Sequence, residues 1–524
     1  MNNQTRKQLV FVLIGILMVS CSEDFLETVP TSAVTEANYI RNVEELETML
    51  NASYSRLNSY FEPFATMNLP MWYYFLGNIG SDDSEKGSYT DGDFYELQEL
   101  SLSQMNPANF INPVWWHLNY GLIESCNVVI QNAERLIQIP ELDADEIELI
   151  ADQARYLRAF GYYHLVTLFG DVPLRTTIFD PNEPFMERTD KALVWDQIEE
   201  DLIEATDLPP KSESQFGRIT RGAVYSLLGK TYMWLEEYDK AVEAYSAVIE
   251  SEEYSLVSDY GLIHRWEGEN CSESIFEFQN ALGVDGGNVS NCAGIFRLPR
   301  EVMAGGFGFD NPSQDLVNEF ENGDPRLLYT VIFNGDVFPT PYGDYVVNND
   351  LPYSGYYCRK AWVPYDDQVR GGGAWFNSID LNCRFSRYAE VLLFCAEALN
   401  ETGQGEQARE YLNRVRKRAR NTPKVDPERI FSVWDSTCTG ELLPDITALD
   451  YTELRDAIWH EQRVELGMEG HRRWVLLRTG RFKERMEAAK GDKGCTVEDH
   501  EWLLPIPKEE IEATKGVITQ NPGY

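Results

Sequence analysis

Residues Gln153 to Pro173 read QARYLRAFGYYHLVTLFGDVP, and from Ala151 to Phe169 apolar and aromatic side chains fall on nearly every face of the helix this stretch predicts. Tyr156, Leu157, Phe160, Tyr163, Leu165 and Leu168 leave no polar stripe, so the helix must be enclosed on all sides. Gly170-Asp171-Val172-Pro173 then stops it.

Downstream the pattern becomes a repeat. Tyr225, Leu228, Gly229 and Tyr232, followed by Ala241 and Tyr245, fall at the offsets of a tetratricopeptide unit, in which small residues let two antiparallel helices approach and aromatics fill the groove between them. Glu237-Tyr238-Asp239 is the expected turn. A weaker copy runs through Leu392, Ala396 and Leu399, then Gly403, then Ala408 and Leu412. Such pairs must stack to bury their faces. Between the copies, roughly 255 to 380, Gly, Asn, Asp, Pro and aromatics replace helical periodicity, and an excursion of this size on a repeat scaffold usually carries the function.

Composition narrows the partners. The 524 residues hold 85 acidic against 45 basic side chains, a formal charge of -40 that would repel nucleic acid and anionic lipid headgroups. Apart from Cys21, eight cysteines stand at 126, 271, 292, 358, 383, 395, 438 and 495 without a C-x-x-C pair. They indicate neither zinc nor a disulfide scaffold; export permits a Cys271–Cys292 bridge, but buried free thiols are the commoner reading. No Pro/Gly/Ser linker divides the chain, which reads as one large domain over 21–524 after a signal over 1–20.

At the N-terminus, Arg6 and Lys7 precede an apolar stretch from Leu9 to Val19, about 16 Å as helix and too short for a hydrocarbon core of about 30 Å. It reads as a secretory signal. Val19-Ser20-Cys21 resembles the bacterial lipoprotein box, in which the cysteine is acylated and becomes the first mature residue; Met18 departs from the Leu usual there. The acidic residues after Cys21 resemble the surface-export signal of Bacteroidetes lipoproteins.

Taken in order, the motifs resemble one family across almost the whole chain, the SusD/RagB-like outer-membrane nutrient-binding lipoproteins. They are Gln153 to Pro173, Gly217-Arg218-Ile219-Thr220, Phe320 to Arg326 (FENGDPR), Arg387 to Ala398 (RYAEVLLFCAEA), Glu461 to Arg478, and the tail from Leu504-Pro505-Ile506-Pro507 to Gln520-Asn521-Pro522-Gly523-Tyr524. The resemblance implies a mainly α fold of four tetratricopeptide-like helix pairs, with an irregular ligand face built from insertions. It also implies a partner, a TonB-dependent barrel transporter over which the lipoprotein sits as a lid. One departure lies in Glu469-Gly470-His471-Arg472-Arg473-Trp474-Val475, where the family commonly has Asp in place of Val475, so an ion pair is expected to be missing.

Catalytic motifs fail on their own chemistry. Gly229-Lys230-Thr231 lacks the phosphate-loop Gly at Val224, His460-Glu461 lacks its second metal ligand at Val464, and Gly306-Phe307-Gly308 lacks the third Gly at Asn311. With 85 acids some carboxylate pairs are guaranteed, so such a pair carries little weight for glycoside hydrolysis. No cofactor or metal is expected.

Binding chemistry fares better. A sugar offers an apolar C–H face and a rim of hydroxyls, matched by exposed flat aromatics beside planar hydrogen-bonding side chains. Two loops have that mixture: Asp82, Asp83, Tyr89, Phe94 and Tyr95 in the first, and Asn288, Asn291, Phe296, Trp362, Arg370, Trp375 and Phe376 in the second. The bland alternative is that these aromatics pack the insertion's own core; Trp72-Tyr73-Tyr74, in a dense apolar run, reads as core outright. The expectation is a non-enzymatic, lipid-anchored surface protein that binds oligosaccharide for its transporter. Peptide binding on the same fold, a secreted hydrolase and a structural repeat adaptor are the alternatives.

Overall fold

The computed structural model describes residues 40–57, 60–61, 64–88, 92–284, 287–289, 292–299, 306–339, 343–348, 355–362, 381–423, 442–448 and 450–524. Eight of its helices form four consecutive pairs: α1 (Val43–Arg56) with α2 (Ile111–Leu136), α3 (Ala144–Phe169) with α4 (Lys191–Glu204), α5 (Arg221–Trp234) with α6 (Tyr238–Glu250), and α7 (Tyr388–Glu401) with α8 (Gly405–Asn421). Each pair also packs on the next, so the apolar face that one pair leaves open is closed by its neighbour.

Local sequence accounts for the helix ends. The side chains of Asn42, Asp143, Asp190 and Thr220 accept backbone N–H bonds at the starts of α1, α3, α4 and α5, which satisfies donors the helices cannot. Gly170 ends α3 at φ +72°. As its sequence requires, α3 is buried without a break from Tyr156 to Phe169. The repeat turn falls slightly earlier than expected, because Glu236 takes the left-handed conformation and Tyr238 already opens α6. Gly403, at φ +77°, makes the corresponding turn between α7 and α8.

Irregular structure occupies the expected stretch among the described residues. Two short antiparallel ladders tie it to the scaffold: β1 (Ser84–Gly87) pairs with β3 (Phe309–Pro312), and β2 (Ser274–Phe278) pairs with β4 (Cys383–Arg387), which leads straight into α7. A satellite core of Leu298, Ile332, Phe338, Tyr345, Val347, Tyr357, Trp362 and Leu381 lies under this region, separate from the main core that contains Trp72 and Tyr73. Cys126, Cys358, Cys395 and Cys495 are buried free thiols, Cys383 is buried in β4, and Cys271 is free and half-buried.

Buried charge fastens the insertion to the C-terminal helices α9 (Tyr451–Leu466) and α10 (Arg472–Arg478). Glu461 and Glu465 share a face of α9, and Glu469 lies just past its end. Arg387, at the end of β4, donates to Glu273, Glu465 and Glu469 at 2.7 Å each, while Arg326 grips Asp324 at 2.7 Å and reaches Glu461 at 2.6 Å. Lys360 donates to Glu469 at 2.6 Å. The motifs at 320–326, 387–398 and 461–478 are therefore parts of one network. Glu465 and Glu469 each have more than one cation, whereas Asp324 depends on Arg326, so loss of Arg326 would leave that carboxylate buried and unpaired. Val475 is buried without an acid at its position, but Glu469 and Arg472 ahead of it are paired, so the expected loss does not open the segment. The tail closes the fold: Leu504 N donates to Leu168 O, and Asn521 Nδ2 donates to Phe169 O at 3.1 Å, satisfying carbonyls at the end of α3.

Candidate ligand-binding face

The structure separates the residues expected at the ligand face. Asp82 and Asp83 were expected to be polar loop contacts, but both are buried and committed to arginines. Arg472 holds Asp82 through two bonds of 2.7 and 2.9 Å, Arg485 reaches the same carboxylate at 2.9 Å, and Arg463 reaches Asp83 at 2.9 Å. Although burial opposes it, the three guanidiniums keep the Asp82 carboxyl well below its ordinary range. These two acids therefore anchor the first loop to α9 and α10, and the reading of them as ligand contacts is corrected.

Three of the aromatics also turn inward. Phe94 stacks on Phe110 with centroids 5.5 Å apart, Phe296 packs against Phe75 and Phe309, and Trp362 stacks on Phe338 at 3.8 Å inside the satellite core. Each was expected to face a sugar; packing claims them instead, as the bland alternative held. Tyr95 is the exception, 55 % exposed at the start of the helix Tyr95–Ser101. Asn288 lies in the short strand Gly287–Val289. Tyr89, Asn291, Arg370, Trp375, Phe376 and the lipidation residue Cys21 lie outside the described residues.

A groove that the sequence reading missed lies between α1, the loop before α5, and β2. It measures about 370 Å³ and is lined by Asn51, Tyr54, Gln215, Phe216, Arg218 and Gln279, among others. Phe216 is 83 % exposed at its rim. An exposed ring beside planar polar side chains is a surface on which the apolar face of a sugar can stack. The loop's shape is fixed from below. Gly217 has φ +82°, and a Cβ there would come within 2.5 Å of Gln279 Cγ, so only glycine lets the loop lie against that side chain. Ile219 N donates to the Tyr54 hydroxyl at 3.0 Å, the Tyr54 hydroxyl donates to Gln153 at 2.8 Å, and the Arg218 guanidinium lies over the Tyr54 ring and pairs with Glu47. Burial raises the Tyr54 phenol, so it stays a neutral donor. Arg218 Nη1 is buried without a hydrogen-bond partner, whereas Gln279 is held by Asn270 and Asn382. The arrangement offers an apolar ring flanked by planar polar groups on a rigid floor, which suits a sugar's apolar face and hydroxyl rim. Phe216, isolated between Gln215 and Gly217 in a polar stretch, was the available signal.

A stacked helical-repeat scaffold that carries a groove on irregular loops defines a helical-repeat protein class. Residues 272–524 match the SusD family, and residues 24–233 match a second family described as starch-binding associating with outer membrane. The chain belongs to the SusD family. Among its curated relatives, SusD-like protein P2 of Formosa agariphila is 26 % identical, with 99 % of each chain covered. The starch-binding protein SusD of Bacteroides thetaiotaomicron is 24 % identical, over 85 % of this chain and 87 % of that one. A solved laminarin-binding SusD-like protein superposes with a TM-score of 0.73 at 26 % identity, covering 93 % of this chain and 100 % of the other.

Proposed function

We propose that this chain is a lipid-anchored protein of the outer membrane's external face that captures oligosaccharide and passes it to a partner TonB-dependent barrel transporter. It binds glycan and does not cleave it, as in the glycan-binding members of its family. Cys21 is the lipid attachment site, and residues 21–524 act as one SusD-like domain. The observation that carries the reading is the groove at Phe216, whose exposed ring stands beside Asn51, Gln215 and Arg218. Tyr95 presents a second exposed ring for the same class of ligand. The relatives named above, one laminarin-binding and one starch-binding, support gluco-oligosaccharides as the ligand class.

Capture for delivery calls for modest affinity, since a ligand held too tightly is not released. Dissociation constants of about micromolar to millimolar, roughly -8 to -4 kcal/mol, are expected. Titration of the purified protein with laminari- and malto-oligosaccharides and with peptides, followed by product analysis, tests the reading. Saccharide binding without cleavage is the expected result. Released products would make the chain an enzyme, and binding of peptides alone would change the ligand.

A further inference from the structure

A second basin, about 470 Å³, opens between α9 and the helix Phe482–Lys490, away from the Phe216 groove in sequence and in lining. Arg455, His460, Arg463, Arg472, Arg481 and Arg485 line it, against Glu319, Asp456 and Glu484 on the acidic side. Basic residues thus outnumber acidic ones two to one here, in a chain where acids lead 85 to 45. Asp82, Asp83, Asp315 and Glu321 behind the lining balance most of that charge, so what matters is which cations they leave unpaired.

Most of these cations are already occupied. Arg463 reaches Asp83, Asp315 and Glu319 at 2.9, 2.7 and 2.8 Å; Arg472 and Arg485 share Asp82; His460 contacts Glu319 at 2.9 Å and Glu321 at 3.5 Å. Two guanidiniums differ. Arg481 has neither a carboxylate nor a hydrogen-bond acceptor among the described residues, and lies over the Trp459 ring at 4.3 Å. Arg455 lies over the same ring at 4.5 Å, pairs with the exposed Asp456 at 3.3 Å, and also contacts Tyr451, over whose ring it lies at 5.5 Å. Trp459 is itself fixed, because its Nε1 donates to Glu397 at 3.0 Å. The ring therefore holds two planar cations at one mouth of the basin, and of the two Arg481 keeps its N–H edge uncommitted among the described residues.

We infer that this basin binds the carboxylate of a small anionic ligand of the uronic-acid class, gripped by Arg481, with Arg455 adding only its charge. Carboxylate is the anion that the surrounding arginines already select: Arg472 holds Asp82 in the two-bond fork geometry that matches a guanidinium to a planar oxyanion. The basin is of the size that takes a sugar-sized molecule. Burial and the neighbouring Arg472 press the Arg481 guanidinium down to about 10, a cost that an incoming anion would relieve. The Trp459 faces carry cations, so a neutral sugar gains no stacking surface there.

The test is titration of the purified full-length protein with glucuronate, with glucose as the neutral ring, acetate as the free carboxylate and sulfate as the other oxyanion, in wild type and three variants. Glucuronate should bind in the millimolar range and glucose should not bind in this basin; acetate binding as well as glucuronate would identify the source as free carboxylates, with the same chemistry. Arg481→Gln should weaken glucuronate about tenfold or more, Arg455→Gln should weaken it less, and Lys417→Gln, an exposed charge elsewhere on α8, should leave it unchanged. Neutral oligosaccharide binding at the Phe216 groove should survive all three, so failure here is distinguishable from failure of the proposed function. No glucuronate binding, equal binding in Arg481→Gln, or sulfate binding without carboxylate binding would overturn the inference.

Discussion

Gly229 of α5 lies under the ring of Tyr245 on α6, so close that a Cβ at 229 would fall 2.4 Å from Tyr245 Cε1. The ring occupies the space a side chain would need, and the helix pair can close only with glycine at that crossing. Gly229→Leu should therefore overpack the contact and cost about 1 to 3 kcal/mol. Glu237→Gln, which disturbs only the exposed pair with Lys240, should cost far less. Equal melting temperatures for the two variants would show that the crossing is not as described.

Arg387 has three buried carboxylates as partners, Glu273, Glu465 and Glu469. Arg387→Met should destabilise the protein by about 1.5 to 3 kcal/mol in denaturant unfolding, because Glu273, Glu465 and Glu469 lose their shared guanidinium and keep only Arg418, Arg326 and Lys360 as counter-charges. A loss under about 1 kcal/mol would mean that the network does not fasten the insertion to α9.

Stability should fall at both ends of the pH range, for opposite reasons. Burial pushes the Glu465 carboxyl up, but Arg418, Arg387 and Arg326 pull it down to about 2; Glu390 is held at about 2 by Lys230 and His471 against the same burial. Their folded values lie below the ordinary 4.5, so their contribution is present above about 4.5 and is lost as pH falls toward about 2. His460 runs the other way: burial lowers it, but Glu319 and Glu321 raise it to about 9, above its ordinary 6.5. Its contribution is complete below about 6.5 and is lost as pH rises through about 9. Melting temperature measured from pH 2 to 10 should show both declines, and His460→Gln should remove part of the alkaline one together with the part of the acid one that Glu319 and Glu321 owe to His460.

How much of this was legible in the sequence depends on the range of the interactions. The repeat was readable because Tyr225, Gly229 and Tyr245 are local and periodic, and the enclosed helix because Tyr156 to Phe169 leaves no polar face. The ligand face was not. Asp82 looks like a loop acid until Arg472, 390 residues away, folds against it. Trp362 and Phe216 are both aromatics in irregular sequence, yet one stacks on Phe338 inside a satellite core and the other stands in solvent. Composition cannot separate those fates, because exposure is decided by which partners the tertiary fold supplies. The ion pairing made by 461–478 was equally hidden, since charge pairing across the chain leaves no periodic trace.

The anchor is a separate matter from the fold. Cys21→Ser should move the protein from the outer-membrane fraction to the soluble fraction while leaving its helical circular dichroism unchanged. Persistence in the membrane fraction would contradict lipidation at Cys21.

Phe216 bears on the central claim most directly, because its ring is almost wholly exposed and supports nothing beneath it. Isothermal titration with a laminari- or malto-oligosaccharide should give a micromolar to millimolar dissociation constant for the wild type. Phe216→Ala should weaken binding by about fivefold or more, consistent with loss of an apolar stacking surface, and leave the melting temperature within about a degree. Oligosaccharide bound with the same affinity by both proteins, or by neither, would contradict capture of glycan in this groove.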